Sequence, residues 1–316
     1  MELNIEGTPL LETILDCPAK IQSHKGSSSS SKTVSFAQAH IIWSFEAVGE
    51  TFSVVRKTMP ALRRGALKDF HMALDLAEAW PLFDENKTNL TYTNKQTGTV
   101  IEFFAVDDAQ KARGPRRHRL WANEANELTY EDWRQLTMRT RGNIALDYNP
   151  SMLRHWIYDE VEKRADCQVV HSSYTNNPFL TAENIREIEV DVPVYALPAD
   201  EVTKLTLAGL PVQNGTFTDW AGIYDGKGVL ISGDPFRWAV FGLGRRGVAL
   251  HAIYPQLFDS AGLSPSRQRR FGLDFGYNHP LSLTEVEYRD RPGRAELHID
   301  DVQAARAAYD NPGVRV

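Results

Sequence analysis

At 316 residues with 42% hydrophobic and 24% charged residues, the chain has the composition of an ordinary folded protein, long enough for one large domain and part of another. No apolar run approaches the roughly 18 residues that span a bilayer, and the opening M-E-L-N-I-E-G-T-P-L lacks a signal-peptide pattern, which predicts a cytoplasmic protein. Cys17 and Cys167 lie outside any C-x-x-C pattern, so they read as free thiols, and a net charge of -6 excludes a uniformly basic nucleic-acid coat but not a local positive surface.

An apolar stretch around Ile21 leads into Gly26-Ser-Ser-Ser-Ser-Ser-Lys32-Thr33, after which Val34, Ala37, Ile41, Ile42 and Phe45 recur at helical spacing. The pattern is strand, loop, helix. T-F-S-V-V-R-K at 51–57 predicts a strand, and Pro60 opens a long helix whose apolar face is Leu62, Ala66, Leu67, Phe70, Leu74 and Ala77. N-L-T-Y-T-N and T-V-I-E-F-F-A-V flank the turn-prone N-K-Q-T-G and predict a hairpin over 89–106. Strands follow over 119–122 and 143–148, and Pro150 announces a helix over 151–162 with Leu153, Trp156, Ile157 and Val161 on one side. Strands alternating with helices through the first 180 residues predict an α/β fold, a mainly parallel sheet covered on both faces.

From about 190 to 265 the pattern loosens around Pro193, Pro198, Pro211 and an N-G pair, with aromatic-rich strand candidates near 237–254. A new unit starts at R-F-G-L-D-F-G-Y, continues through S-L-T-E-V-E-Y, turns at R-D-R-P-G-R and resumes at A-E-L-H-I-D. The expected division is a core over 1–190, a lid or connector over 191–265 and the opening of a second domain over 266–316.

The loop carries the chemistry. Backbone N–H groups at a helix N-terminus surround phosphates, a Lys reaches the terminal oxygens and a hydroxyl holds magnesium. Gly26, Lys32 and Thr33 stand where G-x-x-x-x-G-K-[ST] requires them, while Ser31 replaces the second glycine. The competing reading is a flexible polyserine linker. Some ninety residues on, L-W-A-N-E-A-N places Asn123 and Glu124 at the end of an apolar strand, where an ATPase keeps its magnesium-shell residue and the carboxylate that orients water. The competing reading there is a helix start, with Asn126 or Thr129 as cap followed by Glu131.

K-G-S-S-S-S-S-K-T-V-S resembles the serine-rich phosphate loop of one branch of phage terminase large subunits, and further segments agree in order. T-F-S-V-V-R-K-T-M-P-A-L-R resembles the strand and turn after that loop, W-A-N-E-A-N-E-L the hydrolysis strand, and I-A-L-D-Y-N-P-S the motif coupling hydrolysis to movement. H-S-S-Y-T-N-N-P-F-L is similar to the stretch after the last core strand, W-A-V-F-G-L-G-R-R-G to the connector, and F-G-L-D-F-G-Y-N-H-P to the opening strand of the nuclease domain.

The resemblance implies a phosphate-loop NTPase followed by the opening strands of a ribonuclease H-like nuclease domain. Gly26, Ser29, Ser30, Ser31, Lys32 and Thr33 would cradle ATP, with Lys32 on the β and γ phosphates and Thr33 on Mg2+. Asn123 would hold a magnesium-bound water, Glu124 would polarise the attacking water, and Asn149 belongs to the coupling motif. Asn123 lacks the charge of the usual Asp, so magnesium binding is expected to be weak unless Asp147 supplies it. Arg113 in K-A-R-G-P-R-R-H-R is the first candidate for an arginine offered to a neighbour's ATP, ahead of Arg116, Arg117 and Arg56. A solvated basic loop is the competing reading of that run. Arg63-Arg64, Arg245-Arg246 and the basic run at 266–270 are candidate DNA-backbone contacts, against ordinary exposed faces. Implied partners are double-stranded DNA, a portal protein, a small terminase subunit and copies of the chain in a homo-oligomeric ring.

Asp274 resembles the first metal-binding acid of the nuclease. Only 42 residues follow it, so the later acids are expected to be missing and DNA cutting to be absent. Two other functions compete with an ATP-driven DNA translocase: a nucleotide- or partner-binding remnant without turnover, and a phosphate-loop kinase for a small substrate.

Overall fold

The computed structural model describes residues 5–107 and 116–246, and the backbone of 269–274, 282–291 and 294–300. The chain divides into two units, 1–249 and 250–316. In the first, α1 (Pro9–Leu15) starts on a proline, which suits the first helical turn, and buries Leu10, Leu11 and Ile14. Then come β1 (Ile21–Gly26), α2 (Lys32–Glu46), β2 (Thr51–Arg56), α3 (Met59–Arg64), α4 (Ala66–Leu76), β3 (Phe83–Asn86), β4 (Thr91–Asn94), β5 (Val100–Ala105), β6 (Arg119–Ala122), α5 (Tyr130–Thr137), β7 (Ile144–Tyr148) and β8 (Cys167–Ser172).

These strands form one sheet in the order β3-β4-β5-β2-β6-β7-β1-β8. Pairing is parallel from β5 to β8 and antiparallel only at the β3-β4-β5 edge. A parallel sheet joined through helices is covered on both faces, and all five residues of β7 are accordingly buried. One apolar core gathers Phe36, Ile41, Phe52, Leu62, Phe70 and Trp121, and the other gathers Val55, Leu120, Trp133, Leu146 and Ile157. β1, flanked by β7 and β8, is polar, so its buried groups need partners. Gln22 Nε2 donates to the Ile14 carbonyl at 3.2 Å, Ser23 Oγ to Glu162 Oε1 at 3.0 Å, and His24 Nε2 lies 3.0 Å from Gln22 Oε1.

Four local expectations change. The long helix over 60–77 is two helices, broken at Gly65 (φ -106°, ψ -107°), where a Cβ would stand 2.8 Å from the Arg56 guanidinium. The apolar period runs through the break because both helices pack on the same core. The helix over 151–162 shrinks to a π-helical turn, Ile157–Val161; Met152 and Leu153 are exposed and supply no face to bury. The strand candidates near 237–254 begin instead with helical turns, Pro235–Arg237 and Trp238–Gly242, because Asp234 caps the first through the N–H groups of Phe236 and Arg237. The remainder, from 247, lies outside the described residues. Finally, α1 and β3 are additions that the sequence pattern did not predict.

After β8 come α6 (Ala182–Glu189), β9 (Val194–Ala196), α7 (Ala199–Leu207), β10 (Val212–Gln213), β11 (Thr216–Thr218) and β12 (Val229–Ser232). They include a small antiparallel sheet ordered β10-β11-β9-β12. The second unit contains β13 (Arg269–Asp274), β14 (Ser282–Arg291) and β15 (Arg294–Asp300), an antiparallel meander. Among the described residues no helix is long and apolar enough to cross a membrane.

Two histidines are sealed into the core beside α2. His40 packs against Trp43, Phe52 and Trp121, His24 against Phe36, and burial pushes them down to about 4 and about 3. A base with a depressed folded pKa contributes stability that is whole above its unfolded value of 6.5 and is lost as pH falls through the folded value. Carboxylates elsewhere titrate too, so the test is a difference. Between about pH 7.5 and pH 5, His40→Gln should gain about 2 kcal/mol relative to wild type in urea unfolding. A pH-independent difference would show that His40 is not held neutral.

Candidate functional site

β1 ends where the chain can pass close to β8 only without a side chain. A Cβ on Gly26 would lie 2.3 Å from the Ser172 carbonyl oxygen and 2.5 Å from its Oγ. The Ser27 N–H then donates to that same carbonyl at 3.0 Å, and Ser30 Oγ closes the loop onto the Ser27 carbonyl at 3.0 Å. Ser29 and Ser31 adopt φ of 57° and 67°, the left-handed region that glycine enters without strain. Ser31 therefore takes up the conformation of the glycine it replaces. Its hydroxyl lies 2.9 Å from Thr8 Oγ1, so a residue ahead of α1 helps to hold it.

Ser31 is the N-cap of the 15-residue α2, whose N-terminal end carries a partial positive charge that favours anions. Lys32 opens the helix with a buried ammonium, which donates to the Ser27 carbonyl at 2.8 Å and to Ser30 Oγ at 3.0 Å. Burial pushes its pKa down, while the charges of Asp147 and Glu124 hold it up.

Those carboxylates come from neighbouring strands. Asp147, in register with His24 of β1, is completely buried and accepts from Trp121 Nε1 at 2.6 Å and from Asn123 Nδ2 at 3.2 Å. Burial raises it above the usual carboxylate range, against the pull of Trp121, Lys32, Asn123 and Arg56. Asn123 follows β6 and is fixed by its N–H on the Val55 carbonyl at 2.8 Å. Glu124 then turns left-handed, at φ 48° and ψ 54°, a strained backbone for a side chain of this size. Its carboxyl is pushed up to about 7, first by burial and next by Asp147, with Lys32 and Arg56 restraining the shift.

A cavity of about 420 Å³ is lined by Ser29, Ser30, Ser31, Lys32, Thr33, Glu124 and Asn149, all singled out from the sequence, together with Ser27, Ser28, Asp69 and Asn177. Gly26 shapes the loop beneath it. Asn123 is not on its wall; it is 1% exposed, turns its amide N–H to Asp147 and leaves Oδ1 unpartnered. Arg113 and the side chain of Asp274 lie outside the described residues, although Asp274 is the last residue of β13. Arg117 is buried, with its guanidinium 5.4 Å from the Phe104 ring centroid. Thr129 does cap α5, in a capping box with Asp132 rather than Glu131, and Asn123 and Glu124 precede that cap.

Several participants have no role in the sequence reading. Asn177 Nδ2 donates to the Ser29 carbonyl at 2.8 Å, from within the H-S-S-Y-T-N-N segment whose order alone attracted notice. The Ser28 N–H donates to the Phe241 carbonyl at 3.0 Å, over 200 residues away, with no local signal to reveal it. A second cavity of about 440 Å³ adjoins the first at Ser31, Val34 and Asn177 and is walled by Ile5, Met72, Leu76 and Phe179, among others. Among the described residues no cluster of three or more His, Cys, Asp or Glu is arranged to hold a metal.

Known proteins share this fold. The large terminase subunit of Bacillus phage SPP1 is 26% identical over 158 residues, which are 44% of this chain and 37% of that protein. The large terminase of the thermophilic bacteriophage D6E superposes with a TM-score of 0.56 at 16% identity, over 89% of this chain and 65% of that one. Its ADP complex gives a TM-score of 0.55 at 14% identity, again over 89% and 65%. The chain thus spans less than two thirds of these relatives' lengths. A model of the phage terminase large subunit family matches residues 19–191, more than half of the chain, and the chain belongs to that family.

Proposed function

We propose that the chain hydrolyses ATP at the loop 26–33 and uses it to drive double-stranded viral DNA into a procapsid. The observation that carries this is the convergence of Lys32 and Thr33, from the start of α2, and Glu124, from just after β6, on one cavity. Lys32 and the loop N–H groups bind the phosphates, and the adjoining apolar cavity at Ser31 takes the base. Glu124, held near neutrality, orients and deprotonates the attacking water. Thr33, on the cavity wall, would hold a magnesium ion through its hydroxyl, with Asp147, hydrogen-bonded to Asn123, as the candidate for the charge that Asn123 lacks, and the ion would neutralise phosphoryl charge. The D6E relative has been solved with ADP and with ATP-gamma-S, which supports a nucleotide as ligand.

The same reading places the chain in a homo-oligomeric ring on a portal protein, with a small terminase subunit, in the host cytoplasm, and Arg113 in trans on a neighbour's ATP. Residues 191–265 act as lid and connector to the second unit. Asp274, by resemblance a metal-binding acid of the nuclease, belongs to the second unit, and the proposed activity is that of the loop 26–33 alone.

A second reading, a nucleotide-binding chain without turnover, is favoured by the position of Asn123 off the cavity wall. Multiple-turnover phosphate release by the purified protein excludes it. The translocase predicts ATP turnover stimulated by double-stranded DNA and reduced by about 100-fold or more in Lys32→Ala and in Glu124→Gln. Undiminished turnover in both variants would overturn the assignment, and label from ATP appearing on a small acceptor rather than as phosphate would make it a kinase.

The connector contact gives a separate expectation. Gly244 sits at φ +66°, and a Cβ there would lie 2.5 Å from the Ser27 nitrogen and 2.7 Å from the Gly26 Cα. Gly244→Ala is expected to cost about 2 kcal/mol, lowering Tm by roughly 5 °C, and to weaken ATP binding by displacing the loop. Wild-type Tm and Kd would show that the segment does not support the loop.

A further inference from the structure

Glu124 stands on very little structure of its own. It is followed by a single 3-10 turn, Ala125–Glu127, closed by the Glu127 N–H on the Glu124 carbonyl at 2.9 Å. Such a turn has little independent stability, and Glu124 itself is left-handed. Its position must be imposed from outside.

The end of β2 supplies the restraint at three successive residues. Val55 accepts the Asn123 N–H, Arg56 pairs with Glu127, and Lys57 pairs with Asp132 at 2.9 Å in the first turn of α5. The middle contact is two-pronged: Arg56 Nε and Nη2 reach the two oxygens of Glu127 at 3.0 and 2.7 Å. An exposed ion pair contributes little, but a bidentate guanidinium fixes direction as well as distance, and this one is itself held. Its third nitrogen, Nη1, points at the Ala61 carbonyl 3.4 Å away, and the absent side chain of Gly65 leaves room for it. Arg56 is not on the wall of the phosphate cavity.

We infer that Arg56 is a positioning residue for hydrolysis, acting within its own subunit by clamping Glu127 and so fixing the turn that aims Glu124. This rests on the ATPase reading above. It gives Arg56 a different task from an arginine offered to a neighbour's nucleotide, and it makes the break between α3 and α4 at Gly65 part of the site's scaffold.

The test measures kcat for ATP and Kd for a non-hydrolysable ATP analogue in Arg56→Lys, Glu127→Gln and the double variant. Lysine keeps the charge but cannot bind both oxygens, and Glu127→Gln alters a partly exposed carboxylate without changing its size, so it carries the test if Arg56→Lys lowers Tm. The expected result is a fall in kcat of about tenfold or more in each, with Kd within about threefold and the double variant no worse than the poorer single one. Wild-type kcat in either single variant overturns the clamp. Loss in Arg56→Lys with full activity in Glu127→Gln would assign the guanidinium to the phosphoryl group directly. No turnover in the wild-type protein would instead overturn the ATPase reading, and the clamp's catalytic role with it.

Discussion

A carboxylate with no exposure, at the centre of a parallel sheet, is the constraint around which the site is built. Asp147 is tolerable there only because a tryptophan N–H, an asparagine amide and the charge of Lys32 compensate it. The compensating groups arrive on two separate segments: Trp121 on β6 with Asn123 just after it, and Lys32 at the start of α2. Satisfying one buried charge therefore brings together the ends of β1, β6 and β7, which is where the phosphate cavity opens. The same charge opposes ionisation of Glu124, so the two acids and the lysine form one electrostatic unit.

Strained backbone gathers at that unit. Ser29, Ser31 and Glu124 are three of the six non-glycine residues with positive φ among the described residues. Ser31 is tied to Thr8, Ser29 to Asn177, and the turn after Glu124 to Arg56. A polyserine stretch is flexible when isolated. Here its ends are anchored on β8 and α2 and its middle on a segment more than 140 residues further along.

The parts that were legible in the sequence are those specified by local pattern. The helical period after Thr33, the alternation in β4 and β5 and the apolar run before Asn123 are complete within a few residues, and the corresponding elements form. Serine in place of the second glycine runs against conformational preference; the contact that holds Ser31 left-handed comes from beyond the loop, from Thr8. The Gly65 break was hidden because Leu62, Leu67 and Phe70 face one core on both sides of it. The aromatic-rich stretch from 237 suggests a strand, yet Trp238 and Val240 are buried in a helical turn that continues the one capped by Asp234. Phe241 and Asn177 could not be found from spacing at all, since only the tertiary fold brings them to the loop.

The serine loop differs from a glycine loop in having hydroxyls that bond to the loop and its neighbours. The hydroxyls of Ser27, Ser28, Ser30 and Ser31 are engaged with the Ser28 carbonyl, Asn149, the Ser27 carbonyl and Thr8, and the Lys32 ammonium rests on two of the loop's own oxygens. A phosphate entering such a loop exchanges one set of hydrogen bonds for another instead of filling unmet demand. Exchange of that kind gives a smaller net gain than pairing groups that would otherwise go unmet.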